Sequence, residues 1–141
     1  MEGIELLWDV AVELHDAAGL AAVADVLARA GINVDSVCLV RGPAPLTCHL
    51  LAADGANAAD ALARAGTPAS TREVLVCVLQ NRPGTLAAVS AALNVAGVTV
   101  DLLYQATDRG LVIGADDLAA ARDAVVASGR LAARAGPTLP P

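Results

Sequence analysis

The sequence repeats itself. Residues 10–37 align with residues 76–103, each matched position lying 66 residues further on. Leu20-Ala21-Ala22-Val23 recurs as Leu86-Ala87-Ala88-Val89, Leu27 as Leu93, Ala30-Gly31 as Ala96-Gly97, and Val34-Asp35 as Val100-Asp101. Alanine is abundant, so its matches carry little; the Leu, Val, Gly and Asp matches in one frame carry the argument. A repeat of this length means one supersecondary unit used twice. A chain of 141 residues has room for two such units and little else.

Both copies show the same order of periodicities. Residues 6–14 alternate as a strand does, with Leu6, Trp8, Val10, Val12 and Leu14 on one face and Leu7, Asp9, Ala11 and Glu13 on the other. Residues 18–30 place Leu20, Val23 and Leu27 at helical spacing, and Gly31 follows where a helix C-terminal glycine belongs. A strand over 32–40, with Ile32, Val34, Cys38 and Val40 inward, leads to a turn at Gly42, Pro43 and Pro45. A strand over 46–53, with Leu46, Cys48 and Leu50 on one face, precedes a helix over 56–65. The second copy gives a strand over 73–80, a helix over 85–96, strands over 98–107 and 111–115 joined by a tight turn at Asp108-Arg109-Gly110, and a helix over 117–128.

The order strand, helix, strand, strand, helix, strand is the split βαβ arrangement of ferredoxin-like folds. The expected fold class is therefore α+β: two βαββαβ units, with antiparallel sheets and helices on one face. Residues 66–70 are too few for a linker, so the first unit is expected over 1–70 and the second over 71–135. The three prolines of 136–141 predict a flexible tail. Val74, Val76 and Val78 alternate with Leu75, Cys77 and Leu79, making that strand apolar on both faces. Its second face requires cover from the other unit or from a second copy, and self-association is expected on that ground.

Composition removes whole classes of function. With 56% hydrophobic and 17% charged residues, the chain has the means to bury a core. All nine basic residues are Arg, which excludes a phosphate-loop or Schiff-base lysine. A net charge of -6, no basic stripe and no aromatic stacking platform argue against a nucleic-acid partner. One Trp, one Tyr and no Phe leave a core of small and branched side chains, suited to a small ligand rather than a large flat cofactor; no cofactor is expected. Cys38, Cys48 and Cys77 are odd in number and match no metal or redox spacing, and they read as buried hydrophobes in a reducing cytoplasm. The first residues carry acids where an export signal carries bases, and no uncharged apolar run reaches the ~18 residues of a membrane span. His15 and His49 have no ligand cluster around them in sequence, so no metal site is expected. No nucleophile–base pair stands out, and the chain reads as a non-enzyme.

The most specific stretch runs from Val74 to Tyr104: an apolar strand, then Asn81-Arg82-Pro83-Gly84-Thr85-Leu86 opening a helix, then Ala96-Gly97-Val98-Thr99-Val100 starting the next strand. It resembles an ACT domain, whose loop follows the pattern Asp/Asn-x-Pro-Gly-x-Leu. Over residues 5–130 the chain is similar to stand-alone proteins made of two ACT modules in tandem. The resemblance implies an effector site at Asn81, Arg82, Pro83, Gly84, Thr85 and Leu86, facing the second strand of a neighbouring module. It further implies a regulatory protein that binds an amino acid, working as a homodimer. The alternatives are a regulatory subunit of an amino-acid biosynthetic enzyme and, behind it, an enzyme on a ferredoxin-like scaffold.

The residues themselves favour such a ligand. Pro83 presets a turn, and Gly84 lets the backbone come close. The helix start at Thr85 offers N–H groups and the positive end of a dipole to a carboxylate. Asn81 offers an amide oxygen to an ammonium group. The same residues would also serve as a plain turn and helix cap. The first copy departs from the pattern: His15 stands in for the Asn, and Ala17 and Ala18 stand in for the Pro and Gly. Asp16 either meets an ammonium group or caps the helix. Asp101, like Asp35, either lines a ligand site or faces solvent.

Overall fold

The computed structural model describes residues 3–42 and 45–132. Among them the chain divides into two compact units, one of residues 7–73 and one of residues 3–6 with 74–132. The expected tail at 136–141 and the turn residue Pro43 lie outside the described residues.

The unit of residues 7–73 holds most of β1 (Ile4–Leu14), then α1 (Ala17–Arg29), β2 (Ser36–Val40), β3 (Leu46–Ala52), α2 (Gly55–Arg64) and the start of β4 (Ser70–Val78). Strand β3 pairs antiparallel with both β1 and β2. The other unit holds the rest of β4, α3 (Thr85–Val95), β5 (Val100–Gln105), β6 (Gly110–Ala115) and α4 (Leu118–Ala127). There β6 pairs antiparallel with β4 and β5. The start of the chain belongs to this second unit, where Val78 N–H donates to the Gly3 carbonyl at 2.7 Å. Residues 130–132 return to the same strand: Ala132 N–H donates to the Val78 carbonyl at 2.9 Å and Gln80 N–H to the Arg130 carbonyl at 2.8 Å.

Local chemistry sets the helix boundaries. Asp16, Asp54 and Asp117 each accept a hydrogen bond from a backbone N–H three residues on, at 2.9–3.0 Å, capping α1, α2 and α4. Gly31 and Gly97, matched in the repeat, end α1 and α3 with φ of +72° and +71°. Helices and strands then close two cores. In the first unit Val23 and Leu27 of α1 and Ala58 and Leu62 of α2 pack on Val10, Val12, Leu46, Cys48 and Leu50. In the second, Val89 and Leu93 of α3 and Ala121 and Val125 of α4 pack on Leu75, Cys77, Leu79, Leu111 and Ile113. Truncating a buried leucine such as Leu27 or Leu62 to Ala would cost roughly 2–5 kcal/mol.

The expectation for β2 changes. Strand β2 starts at Ser36 rather than at residue 32, and Ile32 and Val34 reach the core from the preceding connection. Within β2, Val37 and Leu39 register with Leu50 and Cys48, so Cys38 shares the face of its partner His49, and Val40 is 54% exposed instead of inward. In β5 a register shift lies between Val100 and Leu102. The bulge inverts the alternation, so Leu103 rather than Leu102 stands on the face of Leu111 and Ile113. Val74, Leu75, Val76 and Cys77 are all buried, so both apolar faces of this stretch of β4 are covered.

Candidate functional site

Helix α3 differs from the other three at its start. After β4 the chain turns through residues 79–84, and Gly84 takes φ 90° and ψ -10°, a left-handed conformation that glycine adopts without strain. Ala88 N–H reaches the Gly84 carbonyl at 2.9 Å, and Thr85 N–H reaches the Arg82 carbonyl at 3.3 Å. No side chain caps the helix. The first residues of α3, Thr85 and Leu86, instead line an open cleft of about 700 Å³. Gln80, Asn81 and Arg82 join them, and Leu103, Tyr104, Gln105 and Ala106 of β5 and its following turn form the other wall. An uncapped helix start with its N–H groups beside a cleft is suited to an anionic group.

The cleft also carries polar atoms without partners. Gln80 Oε1 and Thr85 Oγ1 are buried and have no hydrogen-bond partner among the described residues. Thr85 as a whole is 7% exposed. Arg130 stands behind the turn: a Cβ on Gly84 would lie 3.8 Å from its Nη2. That is ordinary contact, so Gly84 is required for its backbone conformation and not for space. Beyond the cleft lies a smaller apolar groove of about 230 Å³, lined by Leu86 and Val89 of α3 and by Val98, Val100 and Leu103.

The residues named from sequence fall into three groups. Asn81, Arg82, Thr85 and Leu86 line the cleft. Pro83 and Gly84 form the turn that presents them, and Asp101 is exposed at the β5 bulge, outside the cleft lining. In the first unit, His15 lies with Glu13, Gly19, Thr67 and Ser70 on a separate cleft of about 590 Å³. Asp16 caps α1 there, its Oδ1 2.9 Å from Gly19 N. Sequence reasoning missed Gln80, Tyr104, Gln105 and Arg130. Gln80 sits one residue before the loop pattern begins; nothing in the sequence marks Arg130, which arrives through the return of residues 130–132 to β4.

His49 is engaged elsewhere. Its Nδ1 lies 3.0 Å from Oδ2 of Asp9, whose carboxylate is almost wholly buried on the face of β1 away from the helices. Among the described residues no group of three or more His, Cys, Asp or Glu side chains is placed to hold a metal. No helix among them is long and apolar enough to cross a membrane.

No protein-family model matches the sequence, and no curated protein matches it. Solved structures do match the fold. A protein from Bacteroides thetaiotaomicron superposes with a TM-score of 0.75 at 20% identity, over 92% of this chain and 91% of that one. The regulatory subunit of aspartate kinase from Thermus flavus gives 0.65 at 21%, over 90% and 97%. The same subunit from Thermus thermophilus, in its ligand-free form, gives 0.66 at 23%, over 89% and 97%. At these identities the likeness establishes the fold alone, an α+β fold of antiparallel strands and helices.

Proposed function

We propose that the chain is a regulatory protein built of two ACT-type βαββαβ modules, and that it senses a free amino acid at the cleft on α3. The observation that carries this is the start of α3. It is the one α-helix among the described residues without a side-chain cap, and it opens on a cleft with room for a small ligand. The ligand carboxylate would take the place that Asp16, Asp54 and Asp117 fill on the other helices. The solved structures of similar fold include regulatory subunits and regulatory domains of aspartate kinase, which supports binding rather than catalysis.

Module boundaries near residue 70 follow from the repeat. The three cysteines are free, in keeping with a cytoplasmic protein. Val37, Leu39 and Val40 expose apolar surface on β2, a strand at the edge of its sheet, and support a homodimer. A thermal-shift screen of the twenty amino acids tests the reading, because a ligand that binds only the folded state raises apparent stability. One or a few amino acids should raise the melting temperature with a saturable dependence on concentration. No shift with any of them overturns the proposal.

The second reading is a regulatory subunit that docks on an amino-acid biosynthetic enzyme. The match to nearly the full length of separate aspartate kinase regulatory subunits favours it specifically. Recovery of a catalytic subunit with the chain, dissociating or tightening on addition of the effector, would distinguish a subunit from a free-standing sensor.

A further inference from the structure

The face of β1, β2 and β3 away from α1 and α2 carries a row of three side chains from three neighbouring strands. Cys38 of β2 and His49 of β3 are register partners. Such partners in an antiparallel pair hold their Cβ atoms about 4.5–5.5 Å apart on one face. On the other side of β3, His49 is the register partner of Ala11, and Asp9 lies two residues along β1 on the same face. The small side chain of Ala11 leaves the imidazole room to reach Asp9, whose Oδ2 is 3.0 Å from His49 Nδ1. Access grades along the row: the Asp9 side chain is enclosed, His49 is partly accessible and Cys38 is half-buried. The order carboxylate, imidazole, thiol has chemical meaning. A carboxylate only accepts, so Nδ1 carries the imidazole proton and Nε2 is the basic nitrogen. A thiol beside the ring can pass its proton to it, and the buried charge of Asp9 then holds the imidazolium. The three stand in a row and do not converge, and among the described residues no such group is placed to hold a metal. The other two cysteines differ. Cys48 and Cys77 are buried, and burial pushes both thiols up.

We infer that Cys38 is a site of reversible covalent modification by small disulfides, with His49 taking the thiol proton and Asp9 orienting the imidazole. The Cys38 thiolate attacks one sulfur of the small disulfide. A new S–S bond forms to Cys38 Sγ as the original S–S bond breaks. The electron pair leaves on the second sulfur, which takes the proton back from His49 and departs as a thiol. Cys38 is oxidised to a mixed disulfide, the small disulfide is reduced, and no further oxidant enters. Attack by a second small thiol reverses the step. The row lies within the unit of residues 7–73, and it stands or falls independently of amino-acid binding at the cleft on α3.

The full chain is incubated with oxidised glutathione and followed by intact-mass spectrometry and peptide mapping. It should gain one glutathione, at Cys38, and none at Cys48 or Cys77. At roughly pH 7 the second-order rate should exceed that of an unstructured cysteine peptide by about tenfold or more. The excess should shrink above roughly pH 9, where a peptide thiol ionises without a base. His49→Gln should lower the rate near pH 7 by about tenfold or more and change it little above pH 9. Asp9→Asn keeps an acceptor for Nδ1 but removes the charge, and it should slow the reaction by less. Labelling of Cys48 or Cys77 in a variant reports loss of folding, and the pH profile of the unaltered chain then decides. No adduct at Cys38, a rate near pH 7 no greater than the peptide's, or an unchanged rate in folded His49→Gln overturns the assignment. None of these outcomes bears on the amino-acid site.

Discussion

Asp9 and His49, forty residues apart in sequence, meet across the neighbouring strands β1 and β3, with Asp9 Oδ2 3.0 Å from His49 Nδ1. The Asp9 side chain is buried, 2% exposed, while the imidazole keeps contact with solvent at 23%. The asymmetry sets the cost of breaking the pair. His49→Ala leaves a buried carboxylate with one partner fewer and should destabilise the chain by about 1–3 kcal/mol in urea unfolding. Adding Asp9→Asn in that background removes the buried charge and should recover part of the loss. Additive losses in the double variant would mean that the pair does not couple.

Gly55 opens α2 directly beneath Trp8. A Cβ placed on Gly55 would stand 2.6 Å from the Cγ of the indole, closer than side-chain carbons approach. Gly55→Ala should therefore cost about 1–3 kcal/mol through overpacking, and Trp8→Leu in the same chain should relieve most of it. Gly84→Ala loses stability for a different reason. At φ 90° the penalty of about 1–3 kcal/mol comes from the backbone, and no neighbouring truncation should relieve it. Chemical denaturation of the single and double variants separates the two cases.

The helices, their order and the loop at the start of α3 were legible in the sequence because each rests on a local signal: a 3.6-residue stripe, an Asp cap, a glycine stop, a loop pattern. The strands were less so. Alternation assigned Val40 to a face it does not occupy, because a late strand start at Ser36 shifts parity by one residue, and a bulge at Asp101 shifts it again within β5. Neither leaves a mark on hydrophobicity. Alternation put Asp9 on the face opposite Val10 and Val12, but its burial depends on packing around it and His49 that no window of sequence contains. Gln80 and Arg130 stayed hidden for the same reason. Gln80 lines the cleft and Arg130 stands beside the Gly84 turn through the pairing of residues 130–132 with β4, a relation between distant segments.

Cys77, enclosed between α3, α4 and their sheet, has its thiol pushed up to about 12 from its ordinary value of 9.0 by burial. The folded state disfavours the thiolate, so the stability linked to this group is complete below pH 9 and is lost as pH rises from 9 toward 12. Over that window the unaltered chain should lose stability more steeply than Cys77→Ala, by an amount on the order of 4 kcal/mol at most. Urea midpoints measured across the alkaline range check the difference in slope. At pH 8 a thiol reagent should modify half-buried Cys38 in the folded chain, and it should reach Cys48 and Cys77 only on unfolding.

The two loops of the repeat separate binding from stability. Asp16 already accepts from Gly19 N–H at the start of α1, so its carboxylate holds a helix in place. Asp16→Ala should lower stability by about 1 kcal/mol and leave amino-acid affinity unchanged. His15→Ala, at an exposed position, should change neither. Asn81 lines the second unit's cleft from its exposed rim, where water competes for its amide. Asn81→Ala should therefore weaken binding by about two- to fivefold. Calorimetry on these three variants, paired with their melting temperatures, orders the contributions. A loss of affinity in His15→Ala or Asp16→Ala equal to that in Asn81→Ala would place a ligand at the first loop as well. The uncapped start of α3 would then no longer distinguish the binding half of the chain from the other.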